Sequence, residues 1–443
     1  MGLRLRPLAL LSRLRSTYWF VPSIVTVAAV ILASLLVAVD RQYSDSTAWL
    51  GWAYGGGADG ARSLLSAVAG SMMTVVSVTF SVMVVALTVS SQHFGPRLLN
   101  SFMRDNAAQL VLGTFTGTFA YCLMVLRTVQ ADGDGYSAFV PHLAVTAALI
   151  LTLISVGMLI FYVHHIAISM QVSEITAGVA QDLERTVSQL YPEPFGGPLE
   201  PPVREPPALP DGALEIRASS SGYLQQIDSD AVLALAREHD SVIWLTTRPG
   251  DFVIEGRVIA AVAPVPSEPG AFARRLIATY GIRADRTSTQ DADFAVQQLV
   301  EVALRALSPG VNEPFTAITC IDRLGQGLAK LASRRIPSSV RTDDHGAVRV
   351  VAEPRTFVEL VEAAFDPIAR YAGRNPAIAQ RLLETLGALA DIAQRGDDRA
   401  AIARLADFVW TCAARDVEGD RPRSTLAWLH DDVRARLDRE VRS

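Results

Sequence analysis

Four long apolar stretches in the first 166 residues constrain the fold of this chain more than any other feature. They span residues 18–39, 64–89, 110–126 and 143–163. Because a bilayer core needs about 20 apolar residues of helix, each stretch meets or approaches the length of a membrane span. None of them contains Asp, Glu, Lys or Arg. The sequence therefore predicts an α-helical membrane protein with four transmembrane helices.

The remainder of the chain has a different character, because charged residues are mixed with helical periodicity beyond about Asp182. Short strand patterns precede a series of helical ones, which predicts an α+β, mainly helical, cytoplasmic domain. The predicted segments are a basic N-terminus (1–17), the transmembrane domain (18–166), a stalk helix (167–191), a Pro-rich linker (192–212), a small β-rich subdomain (213–268), a helical bundle subdomain (269–436) and a tail (437–443).

The stalk segment has apolar residues at helical spacing, from Val172 to Leu190. Two interpretations fit that pattern. A rigid helix would transmit motion from one domain to the other, whereas an amphipathic helix would pack its apolar face on a neighbour.

Arginines are distributed unevenly between the two sides of the predicted spans. Those on one side are Arg4, Arg6, Arg13, Arg15, Arg97 and Arg104. Those on the other side, Arg41, Arg62 and Arg127, are offset by Asp40, Asp45, Asp59, Asp132 and Asp134. The positive-inside rule therefore predicts that both termini lie in the cytoplasm.

Small and hydroxyl residues recur along the second span at steps of three, four or seven. They are Ser63, Ser66, Gly70, Thr74, Ser77, Ser81 and Thr88. At 3.6 residues per turn they form one narrow stripe, called here the hydroxyl stripe. It would either line an aqueous path or pack closely against another helix, since helices in lipid also prefer small residues at their contacts.

The third span contains the motif Gly113-x-x-x-Gly117. Glycines four residues apart allow two helix backbones to approach closely. The motif therefore predicts helix packing.

The absence of charge within the four stretches disfavours proton-coupled pumps, because proton relays need intramembrane acids or bases. His164 and His165 follow the fourth stretch directly. At that position they could sense pH or bind an anion. With no third ligand nearby in the sequence, they are expected to be solvated at the membrane surface.

Enzymatic motifs are missing from the sequence. It has no Gly-rich phosphate loop, no H-E-x-x-H and no Gly-x-Ser-x-Gly. Cys122, Cys320 and Cys412 lack metal-ligand spacing. The net charge of −5 and the absence of Lys/Arg-rich runs with interleaved aromatic residues argue against nucleic-acid binding. We expect no cofactor, no metal and no catalytic residues.

One acidic residue, Glu301, has two interpretations. Glu301 lies four residues before Arg305 on a strongly apolar predicted helix. The spacing predicts an ion pair between them. The alternative is that Glu301 is a buried functional acid.

The run from Ser308 to Ala317 is the most distinctive phrase of the second half. Pro309 and Gly310 predict a turn, and Asn312 is placed to cap a helix that begins with Glu313 and Pro314. The same residues could instead form a binding loop, whose candidate residues are Ser308, Gly310, Asn312 and Glu313.

The chain resembles a bacterial family of predicted membrane proteins known only as domain of unknown function 2254. The resemblance rests on the residue runs 306–317, 221–223 and 92–97. Glu313 and Gly95 stand where the family usually has Asp and Ser. The resemblance implies an inner-membrane location and supplies no activity.

Two functions of different classes remain open. In the first, copies of the chain assemble in the bilayer into a channel or pore lined by the hydroxyl stripe and gated by the cytoplasmic domain. In the second, the chain is a membrane-anchored sensor or scaffold that binds a ligand or a protein partner in the cytoplasm. The channel implies a homo-oligomer.

Overall fold

The computed structural model describes residues 19–42, 54–94, 105–130, 139–193 and 205–439, with the side chains of 90–94 excepted. The chain divides into two compact units, and the boundary along the chain lies between residues 171 and 172. Several predicted features lie outside the described residues. They are the basic segment 1–17, the charges at 45, 97, 104, 132 and 134, residues 194–204 of the linker, and the last four residues.

The first unit consists of long apolar helices. Their bounds are α1 (Phe20–Gln42), α2 (Ala58–Phe94), α3 (Asn106–Leu126) and α4 (His142–Ser169). Among the described residues, these four are long and apolar enough to cross a membrane. Each helix runs past its apolar stretch by a few residues, because helical hydrogen bonding continues where the hydropathy falls. The prediction of four apolar helices is confirmed.

Helix α3 is the centre of this unit. Of its most apolar window 56% is buried within the unit, compared with 17% for α1 and for α2. The fully buried side chains of Phe115, Tyr121 and Val125 lie on it. It packs against all three other helices, so its own sequence is the least exposed to any surrounding solvent.

Asp40 joins α1 to the start of α4. Its two carboxylate oxygens accept hydrogen bonds from the N–H groups of Leu143 and Ala144, at 3.1 and 2.9 Å. The first N–H groups of a helix lack intrahelical partners, so Asp40 acts as a cap supplied by another helix. The sequence placed Asp40 among the loop charges, whereas the structure places it on the last turn of α1, where it is 3% exposed.

The second unit combines helices with two small sheets. Its helices are α5 (Val172–Leu190), α6 (Ser229–Glu238), α7 (Pro269–Ile277), α8 (Ala292–Ala306), α9 (Pro314–Ala332), α10 (Phe357–Ala369), α11 (Pro376–Ile392), α12 (Gly396–Asp416) and α13 (Asp420–Asp438). Its strands are β1 (Leu214–Arg217), β2 (Gly222–Ile227), β3 (Val242–Leu245), β4 (Phe252–Val253), β5 (Val258–Ala263), β6 (Tyr280–Arg283), β7 (Val340–Thr342) and β8 (Val348–Val351). The prediction of a mainly helical region with some sheet is confirmed.

The strands pair over long sequence distances. One sheet has the order β1-β5-β3-β8-β7, in which β3 and β8 are parallel, and the other has the order β4-β2-β6. Strands β6, β7 and β8 come from beyond residue 268, so the β-rich part is not the contiguous segment 213–268 that the sequence predicted. Helix α7 ends at Ile277, and Tyr280 begins β6.

Helix α5 belongs to the core of the second unit. Its residues Val179, Leu183 and Val187 are buried, and it packs against both α8 and α9. Thr186 donates a hydrogen bond to the Ser288 carbonyl at 2.9 Å. The segment predicted as a stalk therefore has the packing of an amphipathic helix within a folded unit, which was the alternative interpretation of its periodicity.

Candidate functional site

The hydroxyl stripe is exposed along its whole length in the described part of the chain. Each of its seven residues has an exposed side chain or, at Gly70, open space where a Cβ would lie. The opposite face of α2 is the one that packs on the rest of the first unit. That face carries Ala61, Leu65, Met72, Thr79 and Ala86, all buried. Within one copy, the stripe therefore does not serve as a packing seam.

Four of the hydroxyl hydrogens of the stripe form hydrogen bonds within α2 itself. Ser77 and Ser81 donate to the carbonyls of Met73 and Ser77, at 3.0 and 2.9 Å. Thr74 and Thr88 make the same bond one turn back, at 3.3 and 2.8 Å. Back-bonding leaves the oxygen lone pairs directed outward as acceptors. The stripe presents a row of acceptors on an otherwise apolar surface.

The glycines of the third helix lie against α1. A methyl group at Gly113 would approach the Pro22 Cα to 3.0 Å, and one at Gly117 would approach the Ala29 Cβ to 3.3 Å. Thr116 and Thr26 are hydrogen-bonded across the same contact at 3.0 Å. These glycines therefore permit the close approach of two apolar helices.

The phrase around Pro309 forms a tight connection between α8 and α9. Ser308 is half-buried, and its carbonyl accepts the N–H groups of Val311 and Asn312, at 3.1 and 2.9 Å. The N–H of Glu313 donates back to Ala306 at 2.8 Å. The backbone of this loop is therefore fixed by its own hydrogen bonds.

The prediction that Asn312 caps α9 is wrong. Glu313 occupies the capping position and makes no side-chain cap bond, while Asn312 precedes it with φ of +52°. Asn is one of the few residues other than Gly that adopt this left-handed conformation readily. The sequence pattern indicated the correct turn but not which residue reverses the chain.

The loop exposes apolar as well as polar groups. Gly310, Asn312 and Glu313 are exposed, and Phe315 in the first turn of α9 is 81% exposed. Val311 is 38% exposed. The sequence interpretation named the polar residues and passed over Phe315, because an aromatic residue in an amphipathic helix normally faces the core.

His165 is paired rather than simply solvated. Its Nε2 lies 2.6 Å from Asp105 Oδ2, and its ring stacks on Phe161. The other Asp105 oxygen accepts the N–H of Ala107 at the start of α3. Asp105 and His165 lie sixty residues apart, so no local pattern could have indicated this pair. The expectation that this histidine is simply solvated is wrong.

A buried ionic cluster in the second unit escaped the sequence interpretation. Arg286 donates to Asp291 and Asp293 at 2.6 and 2.7 Å, and both carboxylates are almost fully buried. Burial raises the pKa of Asp291, although Arg286 opposes the rise. Gly250 lies so close to Asp291 that a Cβ there would overlap its carboxylate. The turn before β4 thus packs closely on the cluster at the start of α8.

Glu301 and Arg305 lie within 4.0 Å of each other and are both part-exposed. This geometry fits an ordinary surface ion pair better than a buried functional acid. Cys122 and Cys320 are buried, and burial raises the pKa of the Cys320 thiol to about 12. Within the described ranges, no group of His, Cys, Asp and Glu side chains could hold a metal ion.

Comparison with known proteins gives a family but no activity. The family described as Predicted membrane protein (DUF2254) matches residues 15–388. An uncharacterized protein of Mycobacterium bovis, Mb1321c, is 34% identical over 370 residues, which are 83% of this chain and 70% of that protein. The uncharacterized protein Rv1290c of Mycobacterium tuberculosis H37Rv matches with the same identity and coverage. No solved structure matches the chain.

These matches confirm the resemblance that the sequence motifs suggested. The four apolar helices of the first unit lie within the matched residues. The chain belongs to the DUF2254 family of predicted membrane proteins, whose function is unknown.

Proposed function

We propose that the protein is a homo-oligomeric channel or pore of the bacterial inner membrane, lined by the hydroxyl stripe of α2. The observation that carries this proposal is the exposure of all seven stripe residues on the face of α2 opposite its packing face. A face that carries hydroxyl groups and packs on nothing within one copy is available to water or to another copy.

The residues that flank the stripe support an assembly of several copies. Met73 and Phe80 lie on one side of it and Val78 and Val85 on the other, at about 100° per residue around the helix. All four side chains are exposed. A polar strip between two apolar margins is the pattern expected of a helix that packs sideways on its neighbours and faces water between them.

The outward acceptors of the stripe also suit an aqueous path. Because four of the hydroxyl hydrogens are bonded to carbonyls of α2, the oxygens of those four residues can receive hydrogen bonds from water without rearranging. A water column beside them would be stabilised by these bonds. Replacing the hydroxyls with apolar groups would favour dewetting of the same path.

The connection between the units supports gating by the cytoplasmic unit. Only Met170 and Gln171 separate α4 from α5, and α5 is packed into the second unit. A displacement of the second unit would therefore pull on α4 through a short link. The Arg distribution supports the placement of both termini in the cytoplasm.

Flux through liposomes tests the proposal. The purified full-length protein should carry ions or small solutes under steps of voltage, tension or pH. Replacing Thr74, Ser77 and Ser81 with Val should reduce the flux severalfold, while mass measurements in detergent show the same oligomer. Ser71→Val is the control and should leave the flux unchanged. Ser71 is exposed and donates to the Val68 carbonyl, but it lies about 100° away from the stripe around the helix.

Two results would overturn the channel. One is absence of flux under every stimulus, and the other is unchanged flux after the Val substitutions. Either result leaves the second function class, a membrane-anchored sensor or scaffold.

For the topology, cysteine labels at residues 45 and 134 should react from outside and a label at 443 only from inside.

A further inference from the structure

The loop between α8 and α9 lies at the same end of the second unit as the start of α5. The packing of α5 on α9 shows this. Glu184 on α5 contacts Gln326 and Lys330 on α9, at 2.5 and 3.8 Å. Just past the ends of both helices, Arg334 donates to the Tyr191 carbonyl at 2.7 Å. Residue numbers increase together, so α5 and α9 run parallel.

The register of the two helices places their first residues side by side. Leu183 lies against Gly327. Eleven residues earlier on each helix are Val172, the first residue of the unit, and Thr316, in the first turn of α9. The end of the second unit that carries Val172, called here the proximal end, therefore also carries the loop with Val311 and Phe315.

Chain connectivity ties the proximal end to the end of an apolar helix. Ser169 ends α4, and three residues of chain reach at most about 10 Å from it. With 28 residues, α4 is roughly 42 Å long, which matches a bilayer of about 40–45 Å including its headgroup layers. A bilayer that holds α4 thus keeps the proximal end close to its surface.

The side chains of Val311 and Phe315 are exposed on hydrogen-bonded backbone. Phe315 is on a helix that begins at Pro314, and the loop before it is closed by the Glu313 to Ala306 hydrogen bond. A Phe side chain that is 81% exposed at a fixed helical position has an unfavourable free energy of hydration. No contact in the described second unit offsets it. Aromatic and aliphatic side chains are stabilised at the boundary of headgroups and acyl chains.

We infer that Val311 and Phe315 insert into the headgroup layer of the bilayer and anchor the proximal end of the second unit to the lipid surface. The polar residues Asn312 and Glu313 between them remain at the level of the headgroups. The occupant of this surface is lipid rather than another protein, because the link to α4 keeps the loop near lipid in every copy. The inference does not depend on channel activity.

Spin labels on the full-length protein test this anchor. Cys412 is first changed to Ser, since Cys122 and Cys320 are buried. A label is then placed at Gly310→Cys, where a Cβ meets open space, and the protein is put into nanodiscs of phosphatidylethanolamine and phosphatidylglycerol. Collisions of the label with oxygen report lipid, and collisions with a water-soluble nickel complex report water.

Gly396→Cys is the matched control label, because Gly396 also has open space around its Cβ position. Gly396 begins α12 beside Arg395, and Arg395 donates a hydrogen bond to the Arg334 carbonyl, just after the far end of α9. Helix α9 is roughly 28 Å long, so this end lies about that far from the loop. We expect the label at 310 to be severalfold less accessible to nickel and more accessible to oxygen than the label at 396. Phe315→Ser should abolish that difference, whereas Phe252→Ser, at another exposed Phe, should leave it intact.

Three results would overturn the inference. The first is equal nickel accessibility at positions 310 and 396, which means that the loop is in water. The second is low accessibility to both nickel and oxygen at 310, which means that protein covers the loop. The third is lipid exposure that survives Phe315→Ser, which means that Phe315 is not the anchor.

Discussion

Gly327 on α9 lies directly against Leu183 on α5, so closely that a methyl group on Gly327 would overlap Leu183 Cδ2. This contact sets the distance between two parallel helices of the second unit. Neither residue is distinctive by itself in the sequence. Their contact explains why α5 is part of a folded core rather than a free connection.

Gly327→Ala should lower the melting temperature of the protein, because overpacking of a closed contact costs about 1–3 kcal/mol. The matched control is Gly178→Ala on α5, where the Cβ position is open. At that position Ala should stabilise the helix by about 0.5–1 kcal/mol, because the unfolded chain loses less conformational entropy on folding with Ala than with Gly. Thermal melts of the two variants in detergent should therefore shift in opposite directions. Shifts of the same sign would contradict the close contact.

A fragment of residues 172–439 should fold alone, and a fragment of residues 213–439 should not. The shorter fragment lacks Val179, Leu183 and Val187, so the apolar faces of α8 and α9 become exposed. Exposed apolar surface of this kind favours aggregation. Circular dichroism melts and size-exclusion chromatography compare the two. A cooperative melt of the shorter fragment would show that α5 is dispensable to the core.

Asp40→Ala should destabilise the first unit. The change leaves the N–H groups of Leu143 and Ala144 without their acceptor, and loss of a helix cap costs about 1 kcal/mol. Asp40→Asn keeps one carbonyl acceptor and should cost less. Asp59→Ala, at an exposed acid in the first turn of α2, is the control. Equal melting temperatures for Asp40→Ala and the wild type would contradict the capping role.

Asp343 should stabilise the second unit in a pH-dependent manner. The Arg349 guanidinium, which donates to it at 2.7 Å, lowers the pKa of Asp343 to about 2. A carboxyl whose folded pKa lies below its unfolded pKa stabilises the fold above the unfolded pKa, and the effect is lost as the pH falls through the folded pKa.

Asp343→Asn should therefore lower the melting temperature at neutral pH, and the difference from wild type should shrink between about pH 4 and about pH 2. Asp344→Asn is the control, because the Asp344 side chain is 85% exposed. A difference that stays constant down to about pH 2 would mean that Asp343 acts through shape rather than charge.

Asn312 should tolerate Gly but not Ser. Its φ of +52° costs an ordinary residue about 1–2 kcal/mol and costs Gly nothing. Ser would replace Asn equally well if this residue capped α9 through its side chain. Melting temperatures of Asn312→Gly and Asn312→Ser separate the two roles. Retained stability in the Ser variant would restore the capping interpretation.

The sequence by itself determined the elements that depend on local composition. Four uncharged apolar stretches predicted the helices of the first unit, and the pattern Glu313-Pro314 predicted the start of α9 to within one residue. Hydropathy and helical periodicity are set within one or two turns of chain, so a single sequence contains them. The same local pattern indicated that the hydroxyls of α2 share one face.

The tertiary structure decided which groups meet. It turned the hydroxyl stripe away from its own unit, paired His165 with Asp105, placed Asp40 beneath α4 and brought β8 alongside β3. The partners in these contacts lie between about sixty and about a hundred residues apart. Such contacts depend on how whole faces pack and on which polar groups must be satisfied when buried. No short-range pattern contains that information, because the same face could meet lipid, water or another helix.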